Sequence, residues 1–235
     1  MFYMDFSYIY LVLPAVIFSL WASSRVNSTF KRYSTQNVRC AMTGFDAARM
    51  ILNSHGLHDV RIERVGGNLT DHYDPRSNVI RLSDSVYSST STAAIGVAAH
   101  ECGHAVQHAE GYFPIKLRTA IVPITNIGSR LAIPLILLGI LFSAYNPDMV
   151  IVAYIGVACF SLAAIFQLVT LPTEYNASSR AIGVLEECGR LSDDEIRGSK
   201  KVLNAAALTY VAALAVSLTQ LLRLLLMVNR NSRRR

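Results

Sequence analysis

Residues 149–169 read MVIVAYIGVACFSLAAIFQLV and contain no charged residue. A helix needs about 20 predominantly apolar residues to cross a bilayer, with a range of roughly 17–25. This run of 21 residues therefore predicts a transmembrane helix. The composition agrees, because charged residues make up only 16% of the chain, against about 25% in an ordinary soluble domain.

Three further uncharged runs are long enough, or nearly so, to span a membrane. They comprise residues 6–23, 131–147 and 202–222, and the second becomes a full span if residues 126–130 form its polar end. We therefore predict a mainly α-helical, integral-membrane helical bundle of about four spans. The alternative is four helices buried in a soluble core. Neither a basic residue before the first run nor a clear cleavage site after it is present, so it predicts an uncleaved anchor rather than a signal peptide.

Lysine and arginine are distributed unevenly between the runs, and their distribution predicts the orientation of the spans. They flank the runs within residues 24–118 and 172–201, whereas residues 1–5 and 146–148 have none. Because basic residues favour the cytoplasmic side, the two long segments are predicted to be cytoplasmic. The basic tail at 230–235 disagrees: either its charges are translocated or the last helix does not fully cross.

The formal net charge of +6 fits contact with anionic lipid at the inner leaflet. A nucleic-acid partner is not favoured, because the basic residues flank the apolar runs and have no interleaved aromatic residues. The lipid bilayer is therefore the first partner that the sequence predicts.

The longest segment between spans, residues 24–118, has the pattern of one small α+β domain. TGFDAARMILNSHG is typical of a helix that Thr43 and Asp46 cap and that Gly56 ends. Residues 88–91 offer cap candidates, Ser91 among them, for a second helix that is predicted from about Thr92 through His108.

Between these helices the sequence alternates as strands do. VRIERV at 60–65 predicts one strand, and NLTDHYDPRSNVIRLS at 68–83 predicts two more around a turn. The complete predicted organisation is an anchor at 1–23, the α+β domain at 24–118, two transmembrane helices at 119–171, a cytoplasmic helix at 172–201, and a transmembrane helix with a basic tail at 202–235.

The second helix contains HECGH at residues 100–104, which matches the H-E-x-x-H metal motif. Residues four apart lie on one helical face, about 6 Å apart along the axis, so His100 and His104 can bind one zinc ion. Glu101 lies at the flank of that face, where it can act as the catalytic base toward a water activated by the metal. The alternative is a helix with two ordinary histidines.

His108 continues the four-residue spacing, but it lies about 12 Å in axial rise from His100 and is too far away to share one ion. We expect it to cap the helix end or to meet solvent. A catalytic zinc usually has a third protein ligand. The candidates are Asp71, His72, Asp74, Glu110, Glu174, Glu186 and Glu187.

Glu174 is favoured because it follows Pro172 at a predicted membrane boundary, where a carboxylate needs a partner. The small residues Ala177, Ser178 and Ala181 would let its helix approach another helix closely. The alternative is a glutamate in the first turn of a helix, where it meets the helix dipole. Asn176 could orient one of the metal ligands by hydrogen bonding to it without binding the metal itself.

Three longer stretches, taken together, resemble a known family. TGFDAARMILNSHGLHDVRIERVGGNLTDHYDPRSNVIRLS, STAAIGVAAHECGHAVQHAEGYFPIKLRTAIVPITNIGS and LPTEYNASSRAIGVL follow one another between residues 43 and 185. They are similar to the YugP-like membrane zinc metallopeptidases, which have a gluzincin-like HExxH motif.

The resemblance implies a bacterial integral-membrane zinc peptidase whose cytoplasmic domain is zincin-like. It places the zinc ligands on His100, His104 and Glu174, with Glu101 as the catalytic base. The sequence also departs from the family pattern, which has phenylalanine and aspartate where this chain has Tyr175 and Asn176. An aspartate that would orient a metal ligand is thus replaced by Asn176, which carries no charge.

Two features keep alternative interpretations. LTDHYDP, from Leu69, could be an edge strand that pairs with the substrate backbone, with His72 or Tyr73 donating to the oxyanion, or it could simply build the hairpin. Cys102 is interpreted as a small apolar filler, with a redox role as the alternative.

The sequence thus predicts a membrane-bound zinc-dependent endopeptidase that hydrolyses membrane-associated polypeptides, with Zn²⁺ as cofactor. It is predicted to lie in the cell membrane as a multi-pass protein, with its active site on the cytoplasmic face. The motif does not determine which acyl group is hydrolysed, so one alternative is a zinc-dependent hydrolase of a non-peptide substrate, such as a lipid-linked amide. A second alternative is a non-catalytic, zinc-stabilised membrane scaffold.

Overall fold

The computed structural model of the chain describes residues 6–233, so residues 1–5 of the predicted anchor and the last two residues of the basic tail lie outside the described part. The helices in chain order are α1 (Leu13–Tyr33), α2 (Gly44–Ser54), α3 (Asp84–Tyr87), α4 (Thr92–Ala109), α5 (Phe113–Phe142), α6 (Val150–Glu187) and α7 (Asp193–Arg233). The strands are β1 (Arg61–Val65), β2 (His72–Asp74) and β3 (Val79–Ser83). The fold is mainly α-helical with one small sheet, as predicted.

Within residues 6–233, four helical segments are long and apolar enough to cross a membrane, namely Tyr8–Tyr33, Phe113–Phe142, Pro147–Glu187 and Asp193–Ser232. In the most apolar window of each segment, only between 17% and 28% of the residues are buried. Helices in the core of a soluble protein would bury most of these side chains, so the buried-core alternative is wrong. Four candidate apolar spans confirm the number that the sequence predicted.

The second candidate span begins and ends earlier than the run at 131–147. Pro123 and Pro134 both lie inside α5 without ending it, as happens in transmembrane helices, where neighbouring groups re-satisfy the freed backbone. The side chain of Asn146 then caps a 3₁₀ turn that leads into α6. This turn explains why the uncharged run continues past the helix end.

The third candidate span also differs from its prediction at its C-terminal end. The helix α6 continues through Pro172 as far as Glu187, and Gly189, at φ +60°, lies in the connection that follows. The segment 172–201 is therefore divided between the end of α6 and the start of α7.

Contacts between residues divide the chain into two units, whose boundaries fall after Trp21, Lys116, Leu171 and Leu208. One unit contains the most apolar parts of α5 and α6. There a Cβ on Gly156 would lie 2.7 Å from the carbonyl oxygen of Ala132, which is closer than real Cβ contacts. The missing side chain therefore permits the close packing of these two helices.

The other unit comprises Ala22–Lys116 and Pro172–Leu208 and contains the sheet. The strand order is β1-β3-β2, with β1 parallel and β2 antiparallel to β3, so β2 is an edge strand. The core of this unit includes Ile51 and Leu52 of α2, Ile80 and Leu82 of β3, and Ile95 of α4. The sheet and α2 thus bury apolar side chains together with α4, the helix of the metal motif.

Both helices predicted in this unit begin at the predicted cap residues. The Thr43 hydroxyl accepts a hydrogen bond from the backbone N–H of Asp46 at 3.1 Å, and the Asp46 carboxylate accepts from the backbone N–H of Thr43 at 3.0 Å. This reciprocal pair is a capping box. The Ser91 hydroxyl accepts from the backbone N–H of Ala94 at 3.2 Å and caps α4, which fixes where the motif helix begins.

Candidate metal centre

The helix α4 positions the two motif histidines on one face. The rings of His100 and His104 lie edge to face with their centroids 4.7 Å apart, as the spacing of four residues requires. The neighbouring Glu101 is buried, at 8% exposure. The described structure therefore brings two imidazoles and a carboxylate together in a site that is largely closed to solvent.

The helix α6 adds a second carboxylate to this site. Oε2 of Glu174 lies 3.2 Å from Nε2 of His100 and 3.4 Å from Nε2 of His104. One ligand atom from each of the three residues falls within 4.8 Å of the others. Two imidazole nitrogens and one carboxylate oxygen form a donor set that catalytic zinc sites use, and this set leaves a fourth position open. The residues present therefore fit a zinc ion.

Small residues allow α6 to come close enough to α4 for this arrangement. Gly103 lies between the two motif histidines, and a Cβ added to it would be only 2.4 Å from the carbonyl oxygen of Ala177. Ala177 and Ala181 are fully buried, as expected for a close helix–helix contact. Because α6 runs unbroken through Pro172, the alternative that Glu174 lies in the first turn of a helix is wrong.

A buried glutamine fixes the protonation pattern of His104. The side-chain amide of Gln107 donates from Nε2 to the carbonyl oxygen of Thr173 at 2.8 Å and to Oδ1 of Asn176 at 2.9 Å. A backbone carbonyl can only accept, so Oε1 of Gln107 must face His104, whose Nδ1 lies 3.1 Å away. Nδ1 of His104 therefore carries a proton, and in the neutral ring its Nε2 presents a lone pair toward the site.

Asn176, expected to orient a ligand, does so through Gln107 rather than directly. Its Oδ1 also accepts from Nε of Arg180 at 2.8 Å, and Nη1 of Arg180 pairs with Glu110 at 2.6 Å. Arg180 is always a donor, so it orients the amide of Asn176 as Thr173 orients that of Gln107. The hydrogen bonds thus run from His104 through Gln107 to Oδ1 of Asn176, which accepts from Arg180 as well, and Arg180 in turn pairs with Glu110.

His100 has a different partner on α6. Its Nδ1 lies 3.1 Å from the hydroxyl of Ser178, one turn after Glu174. Each histidine therefore uses Nδ1 for a hydrogen bond and directs Nε2 toward the carboxylate, which is the usual arrangement of metal-binding histidines.

Charge around His104 favours a cation. Burial alone would lower the pKa of the imidazole, but the hydrogen bond with Glu174 and the negative charges of Glu101 and Glu174 outweigh it, so the pKa of His104 is raised. The same two carboxylates would attract a divalent ion to the histidine pair.

Most of the other ligand candidates have partners outside the histidine pair. Asp71 accepts from the backbone and hydroxyl of Ser83 at 2.7 and 2.9 Å. Asp74 accepts from Ser77 and Arg81 within the hairpin. The side chains of Asp71, His72, Asp74, Glu110, Glu186 and Glu187 are not among the groups that could share a metal ion within residues 6–233.

His108 also lies apart from the ligand group, as its position one turn further along α4 predicts. Its ring packs against that of Tyr73, with centroids 5.5 Å apart. It therefore contacts the hairpin, whereas the sequence predicted a helix cap or a solvent-facing side chain.

Comparison with known proteins agrees with this geometry. Residues 8–229 match the family described as "Putative neutral zinc metallopeptidase". The chain belongs to this zinc metallopeptidase family. It is 47% identical over 216 residues to the "Putative membrane protease YugP" of Bacillus subtilis (strain 168), a match that covers 92% of this chain and 94% of that protein. No solved structure matches the chain.

Membership of the zinc metallopeptidase family confirms the resemblance that the motifs carry and implies zinc as the metal.

The sequence did not identify Gln107, Ser178 and Arg180 as residues around the site. Gln107 had a usable signal, because it follows His104 by three residues and so lies on the same helical face. The positions of Ser178 and Arg180 depend on how α6 faces α4, which no local pattern shows.

Cys102 lies within the motif but away from the metal group. Its side chain is fully buried, and burial raises the pKa of the thiol well above its usual range. A thiol that stays protonated and inaccessible is a poor nucleophile. These properties favour the apolar filler over the redox role.

Proposed function

We propose that this protein is a membrane-bound zinc endopeptidase that hydrolyses membrane-associated polypeptides. The observation that carries the proposal is the convergence of His100, His104 and Glu174 on one point beside the buried Glu101. Family membership supports it, because the family is described as zinc metallopeptidases.

In this proposal His100, His104 and Glu174 hold the zinc ion. When bound, zinc supplies Lewis-acid polarisation of a carbonyl group and a lowered pKa for water at neutral pH. Gln107 and Ser178 hold the two imidazoles with their Nε2 atoms directed into the site. The ligands are thus oriented before the metal arrives, which reduces the cost of binding it.

Glu101 is the proposed catalytic base. Glu101 is buried, at 8% exposure, as is the neighbouring Cys102. It borders the histidine pair, but it is not one of the three converging ligands. Its carboxylate takes the proton from the attacking water and passes it to the leaving amine. The low exposure strengthens this proton transfer, since fewer solvent molecules compete for the carboxylate.

The substrate backbone is proposed to pair with β2. This strand is at the edge of the sheet and lies against α4 through the contact of Tyr73 with His108. An extended peptide can add to an exposed edge by main-chain hydrogen bonds. The hydroxyl of Tyr73 donates to Asn78 at 3.0 Å, and Nδ1 of His72 lies 2.8 Å from the carbonyl oxygen of Thr70. Their side chains therefore build the hairpin, and we do not place them at the oxyanion.

The site is proposed to lie in a zincin-like domain on the cytoplasmic face of the cell membrane. The support is the concentration of lysine and arginine in residues 24–118 and 172–201, since basic residues flanking spans favour that side. A site next to the inner leaflet would meet the ends of membrane-inserted chains, which is why membrane-associated polypeptides are the proposed substrates.

Glu101→Gln tests the mechanism directly. The proposal requires that this variant bind one equivalent of zinc, as measured by metal analysis of the purified full-length protein, and lose turnover of a peptide substrate. Glu186→Gln is the matched control, because Glu186 is an exposed glutamate outside the ligand group. Full turnover by Glu101→Gln would exclude Glu101 as the base.

Glu174→Ala tests the ligand set. It is expected to lose zinc, whereas Glu186→Ala on the same helix keeps it. Normal zinc content in Glu174→Ala would place the third ligand elsewhere.

Substrates can be found by comparing membrane proteomes of cells with the wild-type protein and with Glu101→Gln. Membrane polypeptides that accumulate in the variant support the peptidase. Accumulation of a lipid-linked amide alone would support a hydrolase of another substrate, and zinc-dependent stability without any accumulating substrate would support a scaffold.

A further inference from the structure

A second, basic cavity lies away from the metal ligands. It has a volume of about 590 Å³ and is lined by Arg25, Ser28, Thr29, Arg32, Tyr33, Tyr175, Lys201, Asn204, Ala205 and Leu208. Its size falls within the range of roughly 300–1,000 Å³ that is common for small-molecule sites. Among the residues that the structure describes, no acidic one lines it. We call this cavity the basic groove.

Two helix faces form the walls of the basic groove. The α1 residues that line it recur at positions 25, 28, 29, 32 and 33, and the α7 residues recur at 201, 204, 205 and 208. Both sets follow the spacing of three and four residues that defines one face of a helix. The groove is therefore a property of two aligned helix faces, with Tyr175 of α6 contributing a third side.

The groove collects positive charge without a neutralising carboxylate. Within residues 6–233, neither Arg25 nor Arg32 nor Lys201 forms an ion pair with an acidic side chain. Three cations around one cavity repel one another unless an anion lies between them. Guanidinium groups bind phosphate through paired hydrogen bonds, so a phosphate group is the ligand chemistry that the groove fits.

The positions of the cations identify the source of the phosphate. Arg25 is the first charged residue after the uncharged run at 6–23, and Lys201 is the last before the run at 202–222. Cations at the ends of spans lie at the level of the lipid headgroups. Tyr175 is half-exposed and supplies a ring of the type that is enriched at the same level. The groove thus opens where anionic headgroups are concentrated, rather than where free phosphate is.

We propose that the basic groove binds the phosphate headgroup of an anionic phospholipid. Arg25, Arg32 and Lys201 bind the phosphate oxygens, and the apolar floor at Ala205 and Leu208 contacts the start of the acyl chains. This binding is separate from the metal site, so it stands whether or not the chain is a peptidase.

The test measures lipid binding to the full-length protein in neutral-lipid nanodiscs, titrated with phosphatidylglycerol and read by native mass spectrometry. The variant Arg32→Gln/Lys201→Gln removes two groove cations. The matched control Lys31→Gln/Lys200→Gln removes two exposed cations from adjacent positions of the same helices, outside the groove lining. Both variants have the same net charge.

Each basic residue near an anionic lipid surface contributes about fivefold to binding, or about 1 kcal/mol, so the groove variant is expected to bind phosphatidylglycerol about 30-fold more weakly. The control is expected to remain within about threefold of the wild-type protein. Equal weakening of both variants would show diffuse attraction to charge and would overturn the proposal, as would unchanged binding by the groove variant.

Inorganic phosphate is titrated in a separate arm. The lipid assignment would be refuted if Arg32→Gln/Lys201→Gln weakened the binding of inorganic phosphate but did not weaken the binding of phosphatidylglycerol. If Arg32→Gln/Lys201→Gln does not fold, Arg25→Gln is compared with Lys31→Gln, with a loss of about fivefold expected for the first only.

Discussion

Replacing Gln107 by methionine should weaken zinc binding without unfolding the protein. Gln107 is completely buried, and methionine has a similar length and flexibility, so the packing of α4 is kept. The change removes the acceptor of the His104 Nδ1 proton and the two bonds that the Gln107 amide donates to α6. Thr173 and Asn176 are acceptors that keep other donors, since Arg180 still reaches Asn176.

The magnitude follows from the group left without a partner. To bind zinc through Nε2, His104 must keep its proton on Nδ1, and in the variant this buried donor faces a methionine. An unsatisfied buried donor costs about 1–3 kcal/mol, which corresponds to roughly 5–150-fold in affinity. Loss of a partner behind a metal-binding histidine typically costs about 10–100-fold. We therefore expect zinc affinity to fall about 10–100-fold.

The assay is competition between the purified full-length protein and a fluorescent zinc chelator. Circular dichroism of the metal-free variant checks that the helices are retained. Gln36→Met is the control, because it makes the same chemical change at an exposed position. Zinc affinity of Gln107→Met within threefold of the wild-type value, with native helical content, would refute the role assigned to Gln107.

Three other predictions follow from the same unit. Gly103→Ala should reduce zinc content strongly, because the added Cβ would lie 2.4 Å from the carbonyl oxygen of Ala177. Normal zinc content would show that α4 and α6 can move apart without loss of zinc binding. Asp46→Ala should lower the free energy of unfolding by about 1 kcal/mol at neutral pH through loss of the capping box. The side-chain and backbone hydrogen bonds with Thr43 hold the pKa of Asp46 below its usual value, so this contribution is present above about pH 4 and should disappear as the pH falls through the lower pKa of the folded state. A stability difference between the variant and the wild-type protein that does not shrink as the pH is lowered below about 4 would contradict it. Cys102 should resist maleimide labelling in the folded protein and react once it is denatured, since it is buried and its pKa is raised; rapid labelling of the native protein would show that α4 opens.

The sequence predicted the parts of the fold that depend on local chemistry. Four spans were found because a bilayer requires long uncharged runs, and α2 was found because Thr43 and Asp46 form its capping box. The bounds of α5 were missed, since the predicted run began after Arg130, whereas the helix contains Arg130 and extends back to Phe113. Local patterns thus indicate that a helix exists more reliably than they indicate where it ends.

The candidate site shows the same division. His100 and His104 follow from helical spacing alone, because both lie on one helix. Spacing left several carboxylates open as the third ligand. The position of Glu174 at a predicted membrane boundary favoured it, and the family resemblance supported that choice. Gln107 escaped notice because its function depends on the carbonyl group of Thr173, which is 66 residues away in the chain. The spacing of Gln107 places it on the same helical face as His104, but the orientation of its amide is set by a distant backbone atom that the sequence does not indicate.

The order of these residues along the chain has a consequence for biosynthesis. Glu174 is added 70 residues after His104, and a ribosome that adds roughly 5–20 residues per second needs about 4–14 s for that stretch. The two histidines therefore leave the ribosome as an incomplete pair, and the proposed ligand set is finished only after α5 and most of α6 have been made. A nascent chain that stops before Glu174 should not retain zinc. Hydrolytic activity would thus be withheld until the chain has passed through three of the four candidate spans in the described residues.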